Sequence, residues 1–342
     1  MVSLTVTNPV PTFAPVVGTY TGLILQTNPT PSRVGAPTTE SSGFIQIVVA
    51  DKGSFAGNVT LNGVKTSYRG QFDLSGNATN IVGLTLVSLN LGFGADRGSI
   101  LGTVDGSGFR STVLAELPDT SKTWTGKYTL VLSPADVTVT NVPQGYGYAT
   151  LTVNSSGNGS LSGVLADGTP LNIQAPVSQS GTWPLYASLY GKTGGCISWV
   201  TLTSRAPGRE FINGTAIGVV DWFAPASKGY AAFNTTLSLD GSVYTTGPRL
   251  NNTWALTFSG GGLASNVVKT VTLDTLGKVV GTNPVGWKVT VSSGLFTGSF
   301  TPVVGGRAIP FKGLLLQAED TGDGFFQTTN NLSGGVTVEL VP

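Results

Sequence analysis

Short runs of alternating hydrophobic and polar residues dominate this sequence and restrict it to β-structure. The runs are rich in Val, Ile, Thr, Phe and Tyr, recur about every ten residues and are bounded by Gly, Asn, Asp and Ser. A period of two residues is typical of a strand with one buried face, and helical periodicity is nearly absent. We therefore predict an all-β chain whose antiparallel meanders close into small β-barrel or sandwich domains.

One hairpin can be predicted residue by residue. Two alternating runs, 43–49 and 54–61, are separated by the turn residues 51–53. The pair Asn62-Gly63 follows the second run and suits the positive φ angles of a tight turn. A third strand is therefore expected after residue 63.

The same arrangement returns twice, at residues 148–165 and 287–300. An aromatic strand precedes each of the three copies, at residues 18–23, 126–130 and 252–256. We predict three degenerate repeats of roughly 110 to 125 residues, a period that suits small β-domains better than a solenoid.

Glycines recur inside the predicted strands. The frame Gly-x-hydrophobic-x-Gly begins at Gly53, Gly159 and Gly294. Glycine weakens a strand unless it permits a bulge or tight curvature, so these sheets are expected to bend strongly and to close.

The domain boundaries are predicted from polar and Pro-rich stretches. Residues 1–17 are predicted to be an N-terminal strand with a Pro-rich tether, and residues 18–124 a first barrel-like domain. Residues 125–342 are predicted to be a larger β-domain made of two repeat units. The polar segment 119–126 is the expected junction between the two domains.

Several motifs, taken in order, resemble the C-terminal region of long secreted, repeat-rich proteins of Verrucomicrobia and related bacteria. The motifs are GTYTGL (18–23), LADGT (165–169), GTWPLYASLY (181–190), GLFTGSF (294–300), FKGLLLQ (311–317) and GFF (324–326). The resemblance implies an extracellular all-β module. It implies no activity and no catalytic residue.

Composition excludes several classes of chemistry. Histidine is absent, which rules out Ser-His-Asp and Cys-His catalysis and imidazole-ligated metals. The single cysteine, Cys196, rules out a disulfide within the chain and, beside apolar neighbours, is expected to be a small buried hydrophobe. No cofactor is expected. A net charge of +1 without a basic run argues against nucleic acid as a partner.

The compartment is predicted to be extracellular or the cell surface. No apolar stretch approaches the roughly 20 residues of a membrane-spanning helix. Residues 1–9 lack a basic region and an apolar region, so we expect Met1 to be a start added to a mature or excised segment. An outer-membrane barrel is the competing interpretation, but the strands carry no regular aromatic girdle.

Acid and base chemistry in this chain would depend on carboxylates. Glu116, Glu210 and Asp221 lie in or beside predicted strands, and Asp221 is followed by Trp222 and Phe223. A glycosidase needs two carboxylates about 5 to 9.5 Å apart. The aromatic pair beside Asp221 could serve as a platform for the sugar ring. The alternative is that these acids face water on the outside of a sheet.

Aromatic residues suggest a carbohydrate-binding surface. Strand alternation directs Trp183 and Leu185 to one face and Tyr186 to the other. Aromatic residues in barrels usually fill the core, and that is the alternative interpretation. If these residues form a binding face instead, its exposed, ligand-binding members are expected to be Tyr186, Tyr190 and Trp222.

An acidic run is compatible with either a turn or a cation site. Glu319, Asp320 and Asp323 lie among glycines and could offer oxygen ligands to Ca²⁺. The run does not match a complete EF-hand loop. A hairpin turn is the alternative.

The predicted function is that of a non-enzymatic extracellular structural or adhesion module. Residues 2–7 alternate like a strand and are followed by prolines, so they could add a strand to a neighbouring copy. Self-association and cell-surface glycans are the expected partners. A carbohydrate-binding module, and then a carboxylate-dependent glycan-cleaving enzyme, are the alternatives.

Overall fold

The computed structural model describes residues 13–26, 37–203, 215–227, 229–245, 250–303, 305–317 and 319–341. Apart from the 3₁₀ turns Ala14–Val16 and Tyr190–Lys192, the regular structure of these residues is antiparallel β-strand. The strands form three eight-stranded sheets. The all-β, barrel-like prediction with three repeats is therefore confirmed.

Each sheet is assembled from consecutive strands. The first contains β1 (Gly18–Leu25), β2 (Gly43–Val49), β3 (Ser54–Leu61), β4 (Val64–Gln71), β5 (Asn77–Val82), β6 (Thr85–Leu91), β7 (Ser99–Gly106) and β8 (Phe109–Glu116). The second contains β9 (Gly126–Pro134), β10 (Gly147–Val153), β11 (Asn158–Val164), β12 (Pro170–Pro176), β13 (Thr182–Leu189), β14 (Gly194–Leu202), β15 (Thr215–Ala224) and β16 (Phe233–Val243). The third contains β17 (Thr253–Gly260), β18 (Val267–Leu273), β19 (Val279–Val280), β20 (Lys288–Thr290), β21 (Leu295–Phe300), β22 (Ile309–Leu316), β23 (Thr321–Gln327) and β24 (Ser333–Leu340).

All three sheets are up-and-down meanders in which the first strand pairs with the last. The order β4-β3-β2-β1-β8-β7-β6-β5 of the first barrel is repeated strand for strand in the second, which runs from β12 to β13. The edge strands are the fourth and fifth strands of the first two barrels. In the third barrel they are the third and fourth strands, β19 and β20. In each case the two edge strands are consecutive in the sequence, so each barrel has a seam between them.

Side chains bridge the seams of the first two barrels. In the first barrel, the Asn80 amide of β5 donates to the carbonyl oxygen of Arg69 on β4 at 3.1 Å. In the second, the indole N–H of Trp183 on β13 donates to the carbonyl oxygen of Ala175 on β12 at 2.9 Å. These bonds satisfy edge carbonyls that a continued ladder would otherwise pair.

The chain divides into two compact units, Met1–Pro118 and Asp119–Pro342. The first unit contains the first barrel. The second contains the other two barrels, which share an apolar surface between them. The buried residues of that surface are Val131, Tyr148, Ala166, Leu314, Leu316 and Phe325.

The predicted hairpins and opening strands are confirmed. Strands β2 and β3 have the predicted bounds, and Asn62 and Gly63 both have positive φ angles, of 50° and 62°. The three aromatic opening segments lie in β1, β9 and β17, the first strand of each barrel. One inference was wrong: the glycine frames are not equivalent. Gly53 comes directly before the third strand of its barrel, and Gly159 is the second residue of the third strand. Gly294 instead comes directly before the fifth strand.

A repeated aromatic anchor explains why each barrel opens with a ring-bearing strand. Tyr20 donates its hydroxyl hydrogen bond to the carbonyl of Val16 at 2.8 Å. Tyr128 makes the same bond to Trp124 at 3.0 Å, and the Trp254 indole N–H donates to the carbonyl four residues earlier at 3.3 Å. All three rings are buried. Each anchor therefore ties the entering chain to the core of its barrel.

Removing the hydroxyl of the first anchor should destabilise the first barrel. We expect Tyr20→Phe to cost about 1 kcal/mol, because the buried carbonyl of Val16 loses its donor. The matched control is Tyr68→Phe in the same barrel, since the Tyr68 hydroxyl is buried without a hydrogen-bond partner among the described residues. That control should be neutral or stabilising. Hydrogen exchange of the β1 amides measures both effects, and equal protection in the two variants would contradict the anchor.

Candidate functional site

One end of each of the first two barrels carries four strand-to-strand connections, and we call this end the mouth. In the first barrel these are the β1–β2, β3–β4, β5–β6 and β7–β8 connections. The corresponding connections in the second barrel follow β9, β11, β13 and β15. Barrel mouths are common positions for ligand sites. The two mouths differ in what occupies them.

A hydrogen-bonded cluster of Asp167, Tyr190 and Trp222 closes the mouth of the second barrel. The Trp222 indole N–H donates to the Tyr190 hydroxyl oxygen at 2.9 Å, and that hydroxyl donates to Asp167 Oδ2 at 2.7 Å. Burial and the Asp167 carboxylate raise the pKa of Tyr190, so its hydroxyl keeps its proton. The cluster joins the β11–β12 turn to the β13–β14 connection across the seam.

The backbone around Tyr190 is built for this contact. Tyr190, Gly191 and Lys192 have successive positive φ angles of 53°, 65° and 78°. Such angles are costly for residues with a side chain, so the surrounding structure must hold them. The hydroxyl bond to Asp167 supplies part of that restraint, and Thr169 adds a second bond to the same carboxylate at 2.8 Å.

The third barrel covers the same cluster. The Gln327 amide donates to the carbonyl of Asp167 at 2.7 Å, and the Ser333 hydroxyl donates to the carbonyl of Ala166 at 2.6 Å. The ring of Phe233 packs perpendicular to Trp222 with the centroids 5.0 Å apart. The polar groups of Tyr190 and Trp222, and the backbone carbonyls of Ala166 and Asp167, are therefore bonded within the chain.

The predicted ligand-binding residues do not form one exposed platform. Trp222 was expected to be exposed, and this was wrong: it is 0% exposed because its ring lies inside the barrel. Tyr190 is half-buried and bonds Trp222. Tyr186 is half-buried on the opposite face of β13 from the buried Trp183 and Leu185, as strand alternation predicted.

The carboxylates considered for the alternative of a glycan-cleaving enzyme are far apart in the sequence. Glu116 ends β8 in the first unit, and Asp221 lies on β15 in the second. Glu210 lies outside the described residues. Asp221 pairs with Ile197 on β14, on the face of β15 opposite to its neighbour Trp222.

The acidic run lies at the β22–β23 hairpin. Glu319 and Asp320 belong to the turn, whereas Asp323 lies within β23. Burial, with the nearby Glu319 and Glu339 carboxylates, raises the pKa of Asp323 to about 7. Among the described residues, no group of three or more acidic or sulfur ligands is arranged to hold a metal ion.

Cys196 is buried on β14, as the sequence predicted. Burial raises the pKa of its thiol to about 12. A thiol with this pKa is a poor nucleophile at neutral pH, because only the thiolate reacts.

The mouth of the first barrel, by contrast, contains a pocket of about 440 Å³. Its apolar walls come from Val59, Leu61, Val64, Val82, Leu84 and Phe109. Glu40, Asn62, Thr66, Thr85 and Ser107 supply the polar lining. Leu84, at the tip of the β5–β6 turn, is 99% exposed. This pocket was not predicted from the sequence, because hydrophobic residues at turn tips are the only local signal of such a pocket.

Removing the Tyr190 hydroxyl should destabilise the second barrel. We expect Tyr190→Phe to cost about 1 to 3 kcal/mol, because the buried indole N–H of Trp222 loses its acceptor. Urea unfolding followed by tryptophan fluorescence measures the change. The same substitution should cost less when Trp222 is already replaced by Phe, since both variants break one shared bond. Additive costs would contradict the coupling.

Comparisons with known proteins do not assign a family. No protein-family model and no curated protein matches this sequence. Similar solved structures include a double mutant of the vaccine antigen transferrin-binding protein B from Haemophilus parasuis, at 10% identity and a TM-score of 0.22, covering 94% of this chain and 74% of that one. The isotype 1 transferrin-binding protein B of Neisseria meningitidis has 8% identity and a TM-score of 0.20, covering 94% and 75%. An endo-1,5-alpha-L-arabinanase from Thermotoga petrophila has 11% identity and a TM-score of 0.23, covering 88% and 84%. TM-scores this low carry no argument about this chain.

In the described part of the chain, no helix has the length and apolar character that a membrane crossing requires.

Proposed function

We propose that this chain is a non-enzymatic structural or adhesion module of the cell exterior. The observation that supports it best is the closed mouth of the second barrel. Two residues that could have formed a ligand platform are hydrogen-bonded within the chain: Trp222 donates to Tyr190, and Tyr190 donates to Asp167. A barrel closed in this way meets its surroundings through its outer surface.

The composition supports an extracellular location. Only 10% of the residues are charged, and the chain is rich in glycine and has one cysteine. The resemblance of its motifs to the C-terminal region of long secreted proteins points the same way. In that setting each barrel would offer a stable outer surface for contact, because close-packed interiors resist deformation.

Glycan assays test the proposal against its two alternatives. We expect the full chain to release no reducing ends from a panel of polysaccharides and to bind no ligand on a glycan array at millimolar concentration. Hydrolysis that disappears in Asp221→Asn, with Asp51→Asn as the exposed control, would replace the proposal by a glycan-cleaving enzyme. Glycan binding lost on changing Tyr186 would replace it by a carbohydrate-binding module.

Self-association through the amino end is the second part of the proposal. Residues 1–12 lie outside the described residues, so the sequence alone supports it: Val2, Leu4 and Val6 alternate with polar residues, as a strand added to a neighbouring sheet would require. Sedimentation equilibrium should show a concentration-dependent assembly that Leu4→Asp weakens and Thr5→Asp does not. Unchanged assembly in the Leu4→Asp variant would overturn this part.

A further inference from the structure

The first two barrels share a register, so their mouths can be compared position by position. The residues that follow the anchors Tyr20 and Tyr128 pair with Glu116 on β8 and with Ser242 on β16. These two residues pair in turn with the first residues of β7 and β15. The eighth residue of β7 is Gly106 and the eighth residue of β15 is Trp222, so these two residues occupy equivalent positions in the two barrels.

At this strand position the first barrel therefore has a glycine and the second has a tryptophan. The ring of Phe109 lies over Gly106 and would collide with a Cβ there. Phe109 also forms one wall of the 440 Å³ pocket. The pocket lies between the β3–β4 and β5–β6 turns, the positions that Asp167 and Tyr190 bridge in the second barrel. In the first barrel the Phe109 ring therefore takes the space of the indole, and the pocket lies beside that ring.

The open pocket is shaped for an aromatic guest. Its volume lies within the range of about 300 to 1,000 Å³ that is usual for small-molecule sites. Val59, Val64 and Val82 offer an apolar wall, and Phe109 offers a ring face or edge for aromatic packing. Binding such a guest would also cover part of the exposed Leu84, which gains free energy by removing apolar surface from water.

The rim of the pocket offers an acceptor for a donor group. Glu40 lines the pocket, and hydrogen bonds from its own backbone N–H and from the Thr38 hydroxyl lower its pKa. Its carboxylate is therefore ionised at neutral pH and accepts hydrogen bonds. In the mouth of the second barrel, the Trp222 indole N–H likewise donates to an oxygen acceptor.

We propose that the mouth pocket of the first barrel binds a planar aromatic molecule that carries an N–H or ammonium donor. The ring packs against Phe109 and the valine wall, and the donor faces Glu40. The site is additional to the proposed adhesion role and does not depend on it, since adhesion is assigned to the outer surfaces of the barrels.

Fluorine NMR of 5-fluoroindole added to the full-length protein tests the pocket. We expect saturable binding that unlabelled indole displaces. Val64→Trp should abolish it by filling the pocket, whereas Val219→Trp, a matched change on β15 of the second barrel, should leave it unchanged. Val64 and Val219 are 52% and 59% exposed, so both positions have room for a larger ring. Absence of binding up to the solubility limit, or binding that Val64→Trp does not reduce, would overturn the proposal.

Two further measurements test the donor and guard against misfolding. Fluorobenzofuran has the same shape without the N–H, and we expect it to bind roughly tenfold more weakly, a preference that Glu40→Gln should remove. Equal binding of the two rings would overturn the assigned role of Glu40. Leu84 lines the pocket but is 99% exposed, so Leu84→Asp should weaken binding several-fold without affecting folding. Unchanged binding in the Leu84→Asp variant would overturn the pocket as the binding site.

Discussion

Replacing Asp323 by Asn should remove most of the pH dependence of folding stability in the second unit. Asp323 lies on β23, where burial and the neighbouring Glu319 and Glu339 carboxylates raise its pKa to about 7 from an ordinary 3.8. The same buried carboxyl contributes to the raised pKa of Tyr146. Ionised Asp323 is therefore costly in the folded protein, and protonated Asp323 is not.

The sign follows from proton binding. Between about pH 4 and 7 the folded state holds a proton on Asp323 that the unfolded state has released, so the free energy of unfolding falls as the pH rises. Since one pKa unit corresponds to about 1.4 kcal/mol, the full loss by pH 8 is at most about 4 kcal/mol. The side-chain amide of the Asp323→Asn variant cannot ionise, so that variant should show no such loss as the pH rises.

Tryptophan fluorescence reports the unfolding of the second unit, which contains Asp323. All tryptophans belong to the second unit: Trp124, Trp183, Trp199, Trp222, Trp254 and Trp287. Urea unfolding at pH 5.5 and 8.5 should show a large difference for the parent chain and a small one for Asp323→Asn. The exposed Asp51→Asn serves as the control and should behave as the parent. A parent chain equally stable at both pH values would contradict the prediction.

Gly22→Ala should open the first barrel where its sheet closes. Gly22 on β1 pairs with Ala115 on β8, the contact between the first and last strands. A Cβ at Gly22 would overlap the carbonyl oxygen of Leu114 and lie 2.5 Å from the Cα of Ala115. Neither backbone atom can move without breaking the ladder, so we expect a destabilisation of roughly 3 kcal/mol or more.

Hydrogen exchange of the β1 and β8 amides measures this loss, because the first unit contains no tryptophan. Gly94→Ala is the matched control in the same barrel: the nearest atom to its Cβ would be Asp96 Oδ1, 3.8 Å away. We expect that control to change stability by no more than about 0.5 kcal/mol. Protection of the β1 and β8 amides that survives Gly22→Ala would show that the ladder accommodates the added methyl group and would contradict the prediction.

Strand positions were predictable because their signals are local. Alternation and turn residues placed β2 and β3 at their observed bounds, and the aromatic openers marked the first strand of every barrel. The glycine frame at Gly294 was wrongly matched to the frames at Gly53 and Gly159. Such a short frame can occur beside any strand of a repeat, so it does not identify the strand. Repeat equivalence is a property of the sheet order.

The candidate site was predicted only in part. Alternation placed Trp183 inside and Tyr186 on the other face. It could not reveal that Tyr190 bonds both Asp167 and Trp222, because these residues are far apart in sequence and meet only when the turns of neighbouring hairpins converge. The first-barrel pocket escaped notice for the same reason.

The sequence by itself determined the fold class, the number of repeats and the opposite faces of Trp183 and Tyr186 on β13, since these depend on a period of two and on nearby turn residues. Only the tertiary structure decided that one barrel mouth is closed and the other open. That difference depends on which side chain occupies equivalent positions in separate repeats, Trp222 in one and Gly106 in the other, and on the barrel that packs over the closed one. Packing between the turns of different hairpins establishes such contacts, and it joins residues that are distant in sequence.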